Sequence, residues 1–258
     1  MISFNKKYQA EFYSSAEKSK ISEAISIAAH QLRHPVAVIK SFLEALSSED
    51  IGKLNVKQRE YIDDALENIK RISATIEHFL DVSIIEEGRY ELKLEPVSLT
   101  EIVESELKDF AIWAEASNCE IIFQRPREIL PTVLADSLKI RQVVENLISN
   151  AIKYQKAGRG RVEISVEKKG KEIVFSCKDN GIGIPRGDTK KVFTKFYRSE
   201  EAMEIDPSGS GLGLYLNKAT IEVCRGKIWF SRNRAFGTTF FFSLPIFAAS
   251  LFVSQKSE

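Results

Sequence analysis

Cysteine is scarce in this chain, and its pattern excludes two kinds of site. Only three cysteines occur among 258 residues, and Cys119, Cys177 and Cys224 have neither CxxC nor metal-ligand spacing. An odd, scattered set also favours a reducing, cytosolic compartment over a disulfide framework. We therefore expect the three cysteines to be small, buried, apolar residues.

An excess of charge of one sign is also missing. The 37 basic and 36 acidic residues give a formal net charge of +1, so the composition gives no reason to expect nucleic acid as a partner. No window approaches the roughly 20 apolar residues that span a bilayer, and the first residues lack the apolar core of a signal peptide. We expect a soluble, cytoplasmic chain, or the cytoplasmic part of a receptor whose membrane segments lie outside these residues.

The first third of the chain has apolar residues at alternating spacings of four and three. The first run is Ile25, Ala28, Leu32, Pro35, Ile39, Phe42 and Leu46, and the second is Ile62, Ala65, Ile69, Ile72, Ile76 and Phe79. This spacing is typical of helical bundles, and the turn formers between the runs predict two antiparallel helices. Two helices cannot cover both stripes, so we expect a homodimer that forms a four-helix bundle.

The pattern changes after Gly88 to alternating strands and amphipathic helices. A capping box at 98–101 predicts a helix to about residue 118, and 136–155 predicts a second helix with Leu138, Val143, Leu147 and Ala151 on one side. Strands are predicted at 91–98, 119–124 and 132–136, and as hairpins within 161–179 and 226–245. The fold class is therefore α+β with two domains, a helical hairpin followed by an α/β sandwich.

Three polar stretches of the second domain suit a nucleotide better than a packed core. In DNGIGIP, at 179–185, Gly181 and Gly183 allow close backbone approach, and Asp179 offers a carboxylate at the mouth of the turn. The glycine-rich stretch 207–214 leads into a helix, where backbone amides can hold phosphate. Taken singly, the first stretch is better explained as a hairpin turn and the second as a flexible loop.

The third stretch is ENLISNAIKY, at 145–154. Asn146, Asn150 and Lys153 have the spacing i, i+4 and i+7, so they share one face of a helix. Two amide oxygens and one ammonium group suit a hydrated Mg²⁺ ion and the phosphates that it bridges. An ordinary solvated helix face is the alternative for this stretch alone.

In this order and together, the stretches resemble the N, G1, F and G2 boxes of sensor histidine kinases. The helical hairpin resembles the dimerisation and phosphotransfer domain of that family, so the resemblance covers about residues 20–246. The helical spacing of Phe4, Tyr8 and Phe12 predicts a helical lead-in at 1–20. The resemblance implies a dimerisation and phosphotransfer domain at 21–88 and a Bergerat-type ATP-binding domain at 92–248. It also implies ATP and Mg²⁺ as cofactors, and a homodimer whose partner is the receiver domain of a response regulator.

The resemblance also implies roles for individual residues. Asp179 would accept a hydrogen bond from the adenine amino group, Tyr154 would lie against the adenine ring, and Asn150 would bind Mg²⁺. The residues implied near the phosphates are Asn146, Lys153, Gly209, Gly211, Leu212 and Gly213, while Gly181 and Gly183 would form the G1 turn. Arg198 matches the arginine that reaches the terminal phosphate, and residues 199–208 would form a mobile lid over the nucleotide.

The histidines at 30 and 34 lie in AAHQLRHP, at 28–35. If Ala28 and Leu32 are seam positions, His30 falls at heptad position f, the position farthest from the bundle core. An exposed histidine by itself is usually only a surface residue. The resemblance makes His30 the phosphoacceptor, whose imidazole attacks the γ-phosphorus of ATP.

Two neighbours of His30 depart from the pattern of the family. The family usually has Glu or Asp directly after the histidine, whereas this chain has Gln31, which can orient the imidazole but cannot act as a base. Water or His34 would then take the proton. At His34 the family generally has Thr or Asn, which supports dephosphorylation of the regulator, so we expect altered or impaired phosphatase activity. Pro35 predicts a bend in the helix.

Two other functions fit the same motifs. The Bergerat-type site also occurs in chaperone, topoisomerase and mismatch-repair ATPases and in serine kinases, so an ATPase without histidine transfer is one alternative. Those proteins lack an f-position histidine on a paired heptad hairpin. The other alternative is a catalytically impaired, kinase-like dimeric scaffold. The departures from the family pattern in HQLRH favour it, whereas the presence of Asn150, Asp179 and the glycine loops argues against it.

Overall fold

The computed structural model describes residues 6–50, 52–156, 158–233 and 236–247, with side chains from residue 27 onward. The chain forms two compact units, Met1–Tyr90 and Glu91–Glu258. Residues 1–5 of the predicted lead-in and residue 248 of the predicted second domain lie outside the described residues. Within the described part of the chain, no helix is long and apolar enough to cross a membrane.

The first unit is a helical hairpin of α1 (Lys6–Ser47) and α2 (Val56–Glu86). A capping box starts α2, because the Asn55 side chain accepts a hydrogen bond from Gln58 N and the Gln58 side chain accepts one from Asn55 N, both at 2.9 Å. The first helix continues through Pro35 without a break. The helices predicted on both sides of the turn are therefore confirmed.

The hairpin buries a small apolar core and leaves the predicted seam of α1 largely exposed. Ala29, Ile76 and Leu80 form its core, with Val36 and Phe79 packed against them. The predicted seam of α1 stays largely outside this core, because Leu32, Ile39, Phe42 and Leu46 are between 38% and 66% exposed. Two helices can cover only the faces that they turn toward each other, so the predicted seam of α1 has no cover within the described hairpin.

The second unit is a five-stranded sheet with helices packed against it. Its helices are α3 (Leu99–Ala116), α4 (Ser137–Lys153), α5 (Glu200–Ile205) and α6 (Gly213–Val223). Its strands are β1 (Glu95–Val97), β2 (Cys119–Gln124), β3 (Val133–Ala135), β4 (Gly160–Lys169), β5 (Glu172–Asp179), β6 (Lys227–Arg232) and β7 (Thr238–Pro245). The sheet order is β2-β4-β5-β7-β6, in which β2 and β4 are parallel and the other pairs antiparallel, while β1 and β3 form a separate two-stranded sheet.

The core of this unit lies between the sheet and helices α3, α4 and α6. The buried residues of α4 are Ile140, Val143, Val144, Leu147, Ile148, Ala151 and Ile152. The prediction that Leu138 belongs to this stripe is wrong, since its side chain is 73% exposed. Leu138 precedes Ile140 by two residues and is therefore turned about 200° away from it around the helix. The three cysteines are free and buried, as expected.

Candidate functional site

The polar face of α4 packs against the first turn of α6. Asn146 Oδ1 accepts hydrogen bonds from Asn217 Nδ2 at 2.9 Å and from Asn150 Nδ2 at 3.3 Å. A Cβ on Gly213 would lie 2.5 Å from Asn146 Nδ2, so a larger residue there would displace the Asn146 amide from these hydrogen bonds. Asn150 uses its amide nitrogen in this contact, which leaves its oxygen as a ligand for a cation.

The carboxylate of Asp179 is held at the end of β5 by backbone amides. Its Oδ1 accepts from Gly181 N at 2.9 Å and from Thr238 N at 3.1 Å. Burial raises the pKa of Asp179, and the two amide hydrogen bonds oppose that increase. Both of these bonds fall on Oδ1, so Oδ2 can accept from a donor of a ligand, such as an exocyclic amino group.

The turn after Asp179 is attached to the end of α4. Ile182 N donates to the carbonyl oxygen of Tyr154 at 2.9 Å. A Cβ on Gly181 would lie 2.3 Å from that same oxygen, and Gly183 has a φ of +77°, in the left-handed region that favours glycine. The two predicted glycines are thus required for different reasons, close approach at Gly181 and backbone conformation at Gly183. Tyr154 and Asp179 are held together by this turn.

Residues 191–202, which the resemblance makes the F box, are hydrogen-bonded to the glycine-rich loop. Phe196 N donates to the carbonyl oxygen of Gly211 at 3.0 Å, and both residues have positive φ, +62° and +68°. A Cβ on Gly211 would lie 2.7 Å from the carbonyl carbon of Phe196. Leu212 is fully buried, so it anchors the loop just before α6 begins.

Arg198 binds the backbone of the lid, residues 199–208, and of the loop that follows. Its Nη1 donates to the carbonyl oxygens of Gly209 at 2.8 Å and Pro207 at 3.3 Å. Its Nη2 donates to the carbonyl oxygens of Ala202, at 2.9 Å, and Asp206. In this structure the guanidinium group therefore organises the lid, and its contact with a terminal phosphate stays a prediction.

Lys153 forms an ion pair with the lid. Its Nζ lies 2.9 Å from Asp206 Oδ2. Asp206 Oδ1 accepts from Ser208 N at 3.1 Å and from Ser208 Oγ at 2.6 Å. Burial opposes the ionisation of Asp206, but hydrogen bonds from Ser208 and Lys153 outweigh it and lower the pKa of Asp206 to about 2.

The structure brings together all the residues predicted for the nucleotide, in two adjoining groups. The polar face of α4, Arg198 and the loop 209–213 form one group, in which cations and backbone amides suit phosphates. Asp179, Tyr154, Gly181 and Gly183 form the other, at the end of α4, where a buried acceptor suits an amino group. The donor set therefore fits ATP, and the amide oxygen of Asn150 fits a hydrated Mg²⁺ ion.

The predicted histidine site lies on α1 in the first unit. His30, Gln31 and His34 are all exposed, and the exposure of His30 agrees with its predicted position f, whereas the neighbouring Ala29 is buried. Arg33 forms a two-point contact with Glu77 on α2, Nε to Oε1 at 2.9 Å and Nη2 to Oε2 at 3.1 Å. This contact ties the segment that carries His30 to the second helix of the hairpin.

Sequence reasoning missed three residues of the nucleotide site. Asn217 is buried on α6 and holds Asn146, Thr238 holds Asp179 through its amide, and Asp206 holds Lys153. The only sequence signal for the contact of Thr238 was the glycine directly before β7, since glycine often marks a close backbone approach. In the structure Gly237 has a φ of +84°, and a Cβ there would lie 2.1 Å from the carbonyl oxygen of Asp179. No periodicity or motif marks Asn217 or Asp206.

Both units of the chain match known protein families. Residues 135–247 match the family described as histidine kinase-, DNA gyrase B- and HSP90-like ATPases, and residues 20–88 match the His Kinase A phospho-acceptor domain. The chain is 33% identical over 247 residues to the non-motile and phage-resistance protein of Caulobacter vibrioides, covering 93% of this chain and 29% of that protein. It is 31% identical over 242 residues to the sensor histidine kinase WalK of Bacillus subtilis, covering 92% of this chain and 39% of WalK.

A solved structure shares the fold as well. The crystal structure of full-length ShkA in complex with AMPPNP matches with a TM-score of 0.68 and 24% identity, over 88% of this chain and 46% of that one. The chain thus spans 29% and 39% of the length of the two curated relatives named above. The chain thus combines a phospho-acceptor hairpin with a Bergerat-type ATPase domain and has sensor histidine kinases among its relatives. It belongs to the sensor histidine kinase family and corresponds to the catalytic core of such a kinase.

Proposed function

We propose that this chain is an ATP-dependent protein-histidine kinase that phosphorylates itself on His30. The phosphoryl group would then pass to an aspartate in the receiver domain of a response regulator. The observation that carries the proposal is an exposed histidine on a phospho-acceptor helix in the same chain as a site that fits ATP. We assign dimerisation and phosphotransfer to residues 21–88, ATP binding to residues 92–248, and the reaction to the cytoplasm.

Recognition of ATP would begin at the base. Asp179 Oδ2 accepts a hydrogen bond from the amino group of adenine, a donor that guanine lacks at that position, and Tyr154 packs against the ring. The phosphates lie near Lys153 and the amides of the loop 209–213, at the start of α6. Mg²⁺, held by the amide oxygen of Asn150, would neutralise charge on the phosphates.

The reaction at His30 is a transfer of the γ-phosphoryl group. The imidazole Nε2 forms a bond to the γ-phosphorus while the bond to the bridging oxygen breaks and ADP leaves. The proton on Nδ1 is held by the side-chain oxygen of Gln31, which keeps Nε2 free to attack but cannot accept the proton. Water or His34 takes the proton once the ring carries phosphate.

Incubation with γ-labelled ATP and Mg²⁺ tests this function. We expect label on the protein that is lost in acid and retained in alkali, absent from His30→Gln and retained in His78→Gln, a histidine on α2 outside the motif. Release of labelled phosphate without labelled protein would support an ATPase instead. Binding of ATP without either product would support a kinase-like scaffold.

A further inference from the structure

The lid binds two cations: Lys153, which the proposed function places near the phosphates, and Arg198, which the family resemblance places at the terminal phosphate. Lys153 is paired with the carboxylate of Asp206, and Arg198 donates to carbonyl oxygens along residues 202–209. These contacts come from one short stretch of chain, centred on Asp206. The lid therefore holds, with its own oxygen atoms, the groups that would otherwise be available to ATP.

In the ion pair between Lys153 and Asp206, the carboxylate is the more buried and more firmly held partner. The Asp206 side chain is only 14% exposed, compared with 38% for Lys153, so the carboxylate lies inside the site and the ammonium group at its border. Ser208 fixes the other oxygen of the carboxylate with two hydrogen bonds. A Cβ on Gly209, the first glycine of the phosphate loop, would lie 3.0 Å from Asp206 Oδ2 and 3.1 Å from Arg198 Cζ. Lys153 and the phosphate loop thus meet at this one carboxylate, and Arg198 binds the backbone carbonyl of the same residue.

We infer that Asp206 is an internal competitor of ATP: its carboxylate occupies the phosphate position at Lys153 until the triphosphate displaces it. This inference rests on the proposed function, because it assigns the same site to ATP. One ammonium group cannot bind a carboxylate and a phosphate at the same short distance, so the two anions exclude each other. The backbone of Asp206 also binds Arg198, so release of the carboxylate loosens the arrangement that holds Arg198 in the lid and lets it turn toward the terminal phosphate.

The matched substitution is Asp206→Asn, which keeps the oxygen that accepts from Ser208 and removes the charge that binds Lys153. We expect the Kd for MgATP to fall by about two- to fivefold, the range of a partly exposed ion pair. Glu204→Gln is the control, since it removes one negative charge from the same lid at an exposed residue of α5. A general reduction of repulsion between lid and triphosphate would lower Kd equally in both variants, whereas competition at Lys153 lowers it only in Asp206→Asn.

Two further measurements separate competition from other effects. In a Lys153→Gln background, Asp206→Asn should leave Kd unchanged, because the group for which the two anions compete is gone. Amide hydrogen exchange of residues 199–209 without nucleotide should be faster in Asp206→Asn than in Glu204→Gln, since the lid loses its attachment to α4.

Equal Kd values for Asp206→Asn and the wild-type chain would overturn the inference while leaving the proposed function intact. An equal decrease in Kd in the presence and absence of Lys153 would also overturn it. If the wild-type chain bound no ATP, the proposed function itself would fail, and the inference with it.

Discussion

The residue after the proposed phosphoacceptor has no ionisable group. If Gln31 only orients His30, a carboxylate at its place should add a base that takes the Nδ1 proton. We expect Gln31→Glu to increase the rate of autophosphorylation at least about tenfold and to make it less dependent on pH between about 6 and 8. Single-turnover labelling across that pH range measures both effects.

The control for this change is Ala37→Glu. Residue 37 lies seven residues after His30, on the same exposed face of α1, so it receives the same charge without reaching the imidazole. Its rate and pH profile should match those of the wild-type chain. The proposed role of Gln31 is wrong if Gln31→Glu also leaves both unchanged, since the missing base would then not limit the reaction.

The sequence alone can group polar side chains of a site when their spacing places them on one face of a helix. Asn146, Asn150 and Lys153 share a helix face in any α-helix, and the structure confirms that the amides of the two asparagines meet. Asp206 was not visible as a contact of Lys153, because the two residues are separated by 53 positions and an acidic residue in a polar loop is usually solvated. Such a pairing depends on how the lid folds, which local spacing does not determine.

At the scale of elements, the glycine before β7 supports Asp179, the residue proposed to recognise adenine. Gly237 has a φ of +84°, and a Cβ there would lie 2.1 Å from the carbonyl oxygen of Asp179. We expect Gly237→Ala to destabilise the second unit by about 2–4 kcal/mol, through backbone strain and the shift of β5 that the clash requires. It should also weaken ATP binding, because Thr238 N would move away from the carboxylate.

Gly170→Ala is the matched control for Gly237→Ala. Gly170 also has a positive φ, +62°, but a Cβ there meets no atom within 4 Å, so only the conformational cost of about 1 kcal/mol remains. Both tryptophans, Trp113 and Trp229, lie in the second unit, so their fluorescence in urea follows the unfolding of that unit. Equal destabilisation by the two substitutions would show that the contact with Asp179 contributes nothing.

Elements with strong periodicity were predicted well, and the errors lie where periodicity is weak. The two hairpins of the main sheet form where alternation predicts them, because one face of each strand must be buried. Leu138 was misplaced because it lies in the first turn of α4, where one apolar residue fits more than one register. The order of the strands in the sheet depends on long-range contacts, which no local pattern contains.

At the scale of the whole molecule, the apolar seam of α1 lacks cover within the described hairpin. Within the described hairpin, Leu32, Ile39 and Phe42 remain about half exposed or more, although their spacing is that of a bundle seam. Burying this stripe against a second copy would remove several large apolar side chains from water, each contributing about 1.5–3 kcal/mol when fully buried. Symmetric pairing of two hairpins gives the four-helix bundle expected from the sequence.

This arrangement predicts a homodimer that depends on the seam. The wild-type chain should sediment at twice the mass of the 29.2 kDa chain, and Ile39→Glu with Phe42→Glu should weaken dimerisation by at least about tenfold per residue, because each charge would be buried without a partner. Glutamate is a good helix former, so the helix itself should persist. Ile129→Glu is the control, since Ile129 is fully exposed in the second unit. Persistence of the dimer in the seam variant would exclude this face of α1 from the interface, and the stripe would then need a different partner.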